Sequence, residues 1–228
     1  MNSRESLIRI SAGPVSPRNS ILAVGGSPRK GGNSDTLLRF MLGGARKHRI
    51  EAHGLHLRDV SFQGCVGCER CRKDKVCTGL TDGMSFLYPD IITSRGLILV
   101  SPTHNYNITA WMKAFIDRLY CFYEFDRECP RGWSSRLAGQ GRKAVIGAIC
   151  EQVDEKDMGF TIDAMRLPLE ALGYEVIGVL PVFRIFEKGK IKEDNETLIR
   201  AEQLGSDLAE ALLSQSPVPD DTSNHNHP

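Results

Sequence analysis

At 228 residues, with 41% hydrophobic and 25% charged side chains, the chain is long enough for one well-filled core and short for two ordinary enzyme domains. Its 29 Lys and Arg against 28 Asp and Glu leave a formal net charge of +1 without a long one-sign block, which removes the electrostatic case for nucleic acid or an anionic membrane as partner. No apolar run approaches the ~18 residues of a membrane-spanning helix, and the N-terminal segment has none of signal-peptide length, so a cytoplasmic protein is expected.

In chain order, residues 1–19 carry Ser, Pro and Gly without periodicity and are expected to be flexible. Ile21–Gly26 (ILAVGG) reads as the first strand, followed by a small-residue loop and a helix over Ser34–Lys47. A second strand, Glu51–Leu57, leads into a cysteine-rich loop at 64–80 and a helix over Gly83–Ser94. The third strand is Gly96–Pro102, and the next helix, Thr109–Tyr123, can be capped by Asn107 or Thr109. Glu124–Arg142 is a long insertion, of a length that often makes lids or interfaces. Then come the strand Ala144–Cys150, a helix over Gly159–Leu172 closed by Gly173, the strand Glu175–Val182 and a last helix over Asp194–Leu213. The polar tail at 214–228 is expected to be disordered, which leaves one domain at 20–213. Five alternations of strand and helix, with strands apolar on both faces, predict an α/β domain whose parallel sheet is wound on both sides by helices.

Ligands of such a sheet sit outside the carboxyl ends of its strands, where a helix N-terminus offers unpaired N–H groups to an anion. The loop GGSPRKGGNSDT is placed there, and Ser27, Asn33, Ser34 and Thr36 add hydroxyl and amide groups while Arg29 adds a charged donor. It matches neither GxGxxG nor GxxxxGK[ST], and a plain glycine-rich turn stays open beside a phosphate loop of another kind. Across the rim, Pro102, Thr103, His104, Asn105 and Tyr106 offer backbone amides, polar groups and aromatic surface suited to a flat heteroaromatic ring. The stripe Trp111, Phe115, Ile116 and Leu119 reads as core, and His104 taken alone as an ordinary loop histidine.

Four of the seven cysteines, Cys65, Cys68, Cys71 and Cys77, follow CxxCxxCxxxxxC. Thiols stay reduced in the cytosol, so metal binding or redox chemistry is expected rather than a disulfide. Short gaps and a fourth cysteine slightly further on suit a [4Fe-4S] cube. A zinc site, which usually takes two separated knuckles or a His, and free or redox-active thiols remain open beside it. Cys121 and Cys150 read as small core hydrophobes, and Cys129 as a loop thiol.

The phosphate loop, the block SPTHNYNITAWMKAFIDR and AVIGAICEQ at the fourth strand together resemble the flavodoxin-like NAD(P)H-dependent FMN reductase family. With the cysteine run before Asp82–Met84, the chain resembles the iron-sulfur flavoproteins of that family in particular. The resemblance implies a flavodoxin-like, doubly wound five-stranded sheet of order 2-1-3-4-5. It implies FMN phosphate bound by Ser27, Arg29, Asn33, Ser34 and Thr36, and an isoalloxazine ring held by Pro102 to Tyr106. The chain departs from the family at His104, where an aromatic is common, and after the fourth strand, where CEQVDEKDMGF replaces a glycine-rich loop. The expected function is FMN-dependent electron transfer with a [4Fe-4S] cluster, the flavin carrying the chemistry and no side chain acting as nucleophile or base. NAD(P)H or ferredoxin is the expected donor, a small molecule or redox protein the acceptor, and a homodimer or homotetramer the expected assembly. A cluster-free NAD(P)H-dependent FMN or quinone reductase and a noncatalytic redox-sensing flavin module are the alternatives.

Overall fold

The structure, a computed structural model, describes residues 17–127 and 132–214. Its elements in chain order are β1 (Arg18–Gly25), α1 (Asn33–Arg46), β2 (Glu51–His56), α2 (Cys71–Asp74), α3 (Met84–Thr93), β3 (Ser94–Pro102) and α4 (Ala110–Arg118). They continue with β4 (Tyr123–Phe125), β5 (Trp133–Ser135), β6 (Arg142–Ile149), α5 (Asp163–Ala171), β7 (Tyr174–Val182) and α6 (Asn195–Leu213). Five strands form one parallel sheet in the order β2-β1-β3-β6-β7, which is 2-1-3-4-5 once the separate β4–β5 hairpin is set aside.

Strand periodicity divides the core in two. Leu22, Val24, Leu97 and Leu99 face the side covered by α3, α4 and α5, with Met84, Tyr88, Phe115 and Met165 packed on them. Ile21, Ala23, Ile98 and Val100 face α1 and α6, against Leu37, Met41 and Leu208. These two helices touch backbone to backbone, because a Cβ on Gly44 would overlap the Glu202 carbonyl and one on Gly205 the Met41 carbonyl. Of the two glycines in LLRFMLGGARK it is Gly44 that serves this crossing, while a side chain on Gly43 would meet open space.

Several boundaries differ from the sequence expectation. β1 starts at Arg18, inside the segment expected to be flexible, because Arg18 pairs with Ser94 and Asn19 accepts a 2.8 Å bond from Arg95. The third expected helix, Thr109–Tyr123, is shorter: α4 ends at Arg118 and passes into a 3-10 turn at Leu119–Phe122. Thr109 caps it, its hydroxyl accepting from Met112 N at 3.2 Å. Trp111 of the apolar stripe is 38% exposed while Phe115, Ile116 and Leu119 are buried. The insertion contains the antiparallel hairpin β4–β5. Cys129, within it, lies outside the described residues, as do positions 1–16 and 215–228. No helix among the described residues is long and apolar enough to cross a membrane.

Candidate functional site

Parallel winding brings the segments after β1, β3, β6 and β7 to one rim, where they enclose a cleft of about 690 Å³. The segment after β1 forms one end of it. The first helical bond of α1 is Thr36 N to Gly32 O, so the amides of Asn33, Ser34 and Asp35 lack an acceptor within the helix, and Asn33 and Ser34 line the cleft. Ser27 is buried and takes the amide of Arg29 at 3.2 Å, while Ser34 is buried at the cleft wall.

Two of the expected phosphate ligands are placed differently. Asn33 spends its side chain on the loop after β7, donating to Glu187 O at 2.8 Å and accepting from Ile191 N at 3.3 Å. It thereby brings Lys188 to the cleft as a second cation beside Arg29. Thr36 is buried, its hydroxyl bonded back to Gly32 O, and does not line the cleft. Behind the loop, Arg58 forks onto both oxygens of Asp35 at 2.9 and 2.8 Å and also donates to Ser27 O at 3.0 Å. Asp35 in turn accepts from Gly31 N at 2.7 Å, and His56 Nδ1 stands 3.3 Å from its other oxygen. The curve of the loop is thus set by one carboxylate and one guanidinium.

The segment after β3 is a tight turn. His104 and Asn107 exchange backbone bonds of 2.7 and 3.0 Å, and Asn105 and Tyr106 between them both have positive φ, 47° and 63°. A left-handed tyrosine is strained and needs support. The residues after β6 give it: Phe160 N donates to Tyr106 O at 2.8 Å, Thr161 Oγ1 bonds Thr103 Oγ1 at 3.0 Å, and a side chain on Gly159 would overlap Tyr106 O. Thr103 N is fixed on Ile149 O at 2.7 Å. Pro102, Thr103, His104, Asn105 and Tyr106 all line the cleft. Thr109 joins the two halves, its hydroxyl donating to Gly26 O at 2.7 Å.

Sequence reasoning missed the rest of the wall. Ile149, Cys150, Glu151, Gln152 and Asp157 come from the segment after β6, and Ile185, Phe186 and Lys188 from that after β7. Cys150 is buried as expected and also lines the cleft. The available signal was topological, since every loop following a strand of a parallel sheet reaches the same rim.

The four clustered cysteines line a second cavity, of about 310 Å³, closed by Val66, Leu80, Asp117 and Tyr120. Gly79 leaves room for the Cys68 thiol, since a Cβ there would push Cys68 Sγ aside. Cys65 and Cys68 are exposed, Cys71 and Cys77 partly covered. Burial pushes the Cys71 thiol up, and charge repulsion from the neighbouring Cys77, Cys65 and Cys68 adds to the shift. Among the described residues no three His, Cys, Asp or Glu converge on one point as ligands of a single ion do. Cys121, buried below the cavity, is pushed up to about 12 by desolvation and is inert.

The neck of the cysteine loop is a buried ion pair. Arg118 on α4, its side chain 1% exposed, donates to Asp82 at 2.7 and 3.1 Å and to Gln63 O at 2.9 Å. Asp82 also accepts from the amides of Gln63 and Met84, and Gly83 N closes on Ser61 O at 2.8 Å. Burial alone would raise the Asp82 carboxyl; the Arg118 bonds and the two amides outweigh it and hold it below its ordinary range.

A protein-family model described as NADPH-dependent FMN reductase matches residues 19–140, more than half of the chain. The chain belongs to this family. An iron-sulfur flavoprotein of Archaeoglobus fulgidus is 31% identical over 190 residues, covering 83% of this chain and 79% of the relative. Among solved structures, an FMN-dependent NADH-azoreductase of Bacillus anthracis in complex with FMN superposes with a TM-score of 0.60 at 15% identity, covering 85% of this chain and 99% of that one. The NAD(P)H:quinone oxidoreductase of Methanothermobacter marburgensis gives 0.59 at 17% identity, with 83% and 98% covered. At these identities the two structures speak for the flavodoxin-like fold, while membership of the reductase family makes the chain an oxidoreductase.

Proposed function

We propose that the chain binds FMN in the rim cleft and one [4Fe-4S] cluster at Cys65, Cys68, Cys71 and Cys77, and passes electrons between a reduced donor and an acceptor. The observation that carries the flavin reading is the meeting of two unlike walls in one cleft: unpaired helix amides with Arg29 and Lys188 at one end, and the Pro102–Tyr106 turn at the other. Ser27, Arg29 and Ser34 with the α1 amides hold the phosphate, Asn33 and Thr36 shaping the loop around it. Thr103, His104, Asn105 and Tyr106 border the ring, and Cys150, Glu151 and Gln152 close its far side. Bound FMN supplies hydride and single-electron chemistry; the residues of the chain position it and shield it from water.

The donor set fits an iron-sulfur cube. A cube takes one thiolate per iron at separate corners, so its ligands stand around a volume, whereas a lone zinc draws them to a point. Four thiols around an apolar-walled cavity match the first description. One helix joins the two sites: α4 starts at the cleft with Thr109 as cap and carries Asp117 to the thiol cavity, about 12 Å along its axis. NAD(P)H or a ferredoxin-like protein as donor, a small molecule or redox protein as acceptor, and a homodimer or homotetramer in the cytoplasm complete the reading.

A second reading, a cluster-free NAD(P)H-dependent FMN or quinone reductase, is favoured by the exposure of Cys65 and Cys68. Anaerobic reconstitution with iron and sulfide analysis separates the two. About four irons per chain, lost in Cys68→Ser, are expected. Flavin absorption without iron, with turnover of NAD(P)H intact, establishes the second reading instead. A chain that binds no FMN at all overturns both.

A further inference from the structure

Among the described residues the insertion at 124–142 lines neither cavity, yet the hairpin it contains lies against the cysteine loop. β4 and β5 pair Tyr123 with Ser135 and Phe125 with Trp133, and the Tyr123 and Trp133 rings meet edge to face at 5.5 Å. From this unit three contacts fall on the stretch between the third and fourth cysteines. Arg136, directly after β5, donates to the carbonyl of Lys75 and, at 2.8 Å, to that of Cys121, with its guanidinium 5.7 Å from the Phe122 ring centre. Glu124 on β4 pairs with Lys75 Nζ at 2.9 Å. The Phe125 ring lies 4.6 Å from the Arg72 guanidinium, which also donates to Tyr120 Oη at 2.8 Å.

These contacts sit where the chain must be turned. Lys75 is left-handed at φ 58°, ending α2 and reversing the backbone into Val76 and Cys77, and Arg136 holds the carbonyl of that residue. Cys71 opens α2 and Cys77 follows the reversal, so both thiols are fixed by the same hold. The Cys65–Cys68 stretch has no such support. Among the described residues it makes no backbone hydrogen bond, and both cysteines are exposed.

We propose that the β4–β5 hairpin is a clamp that presets Cys71 and Cys77, with Arg136 as its positioning residue, while Cys65 and Cys68 are drawn in by the metal. The purpose of the clamp rests on the cluster reading, but its test does not. The full chain, reduced and metal-free, is alkylated with iodoacetamide and each cysteine followed by peptide mass spectrometry.

In Arg136→Gln the rates at Cys71 and Cys77 rise about tenfold, as expected for loss of a local hold, while Cys65 and Cys68 keep their wild-type rates. Arg136→Lys, which still reaches a carbonyl, restores most of the protection, and FMN affinity is unchanged in both variants. A merely global loosening would instead raise all four cysteines and the buried Cys121 together and overturn the proposal. Rates at Cys71 and Cys77 within about twofold of wild type overturn it as well. If Arg136→Gln fails to fold, as judged by loss of FMN binding, Phe125→Leu removes only the ring beside Arg72 and is held to the same pattern. A wild-type chain that takes up no iron sinks the cluster reading, and the alkylation pattern still decides the clamp.

Discussion

Two loops leave the same rim of the sheet, one after β1 and one after β2, and they are held in opposite ways. The first is short and braced from within and behind: Asp35 on Gly31 N, Arg58 on Asp35 and Ser27 O, Asn33 on the backbone of 187–191. The second is long, almost without internal bonds from Gly64 to Cys68, and held from outside at its neck by Arg118 and at its flank by the hairpin. On the proposed function the difference matches the ligand each would take. An anion is bound by N–H groups that must already point inward, so the cost of ordering is met by the fold. Thiolates can be gathered by the metal itself, whose binding energy orders what the fold leaves loose.

The comparison breaks most visibly at the neck. Asp82→Ala leaves a guanidinium that is 1% exposed without its carboxylate, a loss expected to cost about 3 kcal/mol, the lower end of the range because Asp82 keeps 15% of its surface. Urea unfolding measures it. If the loops are independently held, FMN affinity of the folded variant stays near wild type. A parallel fall in FMN affinity shows that the neck supports the cleft too and removes the contrast.

At the other loop the expected effect is smaller and more selective. Asp35→Asn loses the charged half of the Arg58 fork and weakens the hold on Gly31 N, while leaving every residue that lines the cleft in place. FMN affinity is expected to fall about tenfold, with riboflavin affinity unchanged, because only the phosphate end depends on the curve of the loop. Equal losses for the two ligands would make Asp35 a general stability residue.

The same contrast explains what could be read from sequence. The two-sided winding was legible because Ile21–Val24 and Leu97–Val100 are apolar on both faces, as strands covered on both sides are, while the strand order came from the family resemblance. The loop after β1 and the Pro102–Tyr106 turn were legible as positions after strands that reach one rim. What escaped was direction. Asn33 has the residue type of a ligand, but its amide is claimed by a backbone 154 residues away, and no local rule contains that pairing. Trp111 shares the spacing of Phe115 yet falls at the rim, where periodicity cannot separate a core face from its edge. The hairpin escaped because β4 and β5 are three residues each, too short for alternation to register.

Acid sharpens the comparison last and least. The Asp82 carboxyl titrates below the usual 3.8 in the folded chain, held there against its burial by Arg118 and two amides. A group with a depressed folded value contributes its full stability above the unfolded value and loses it as pH falls through the folded one. Lowering pH from 3.8 down through the depressed folded value should therefore quicken amide exchange at Gln63 and Gly83, whose bonds depend on that carboxylate and its neck, by about fivefold relative to neutral-pH behaviour corrected for intrinsic rates. Sheet amides of β1 keep their protection over the same range. Asp82→Asn, which cannot titrate, should show fast exchange at both residues and no further change with pH. A wild-type profile as flat as that of the variant would mean that the neck is held by shape and not by the charge of Asp82.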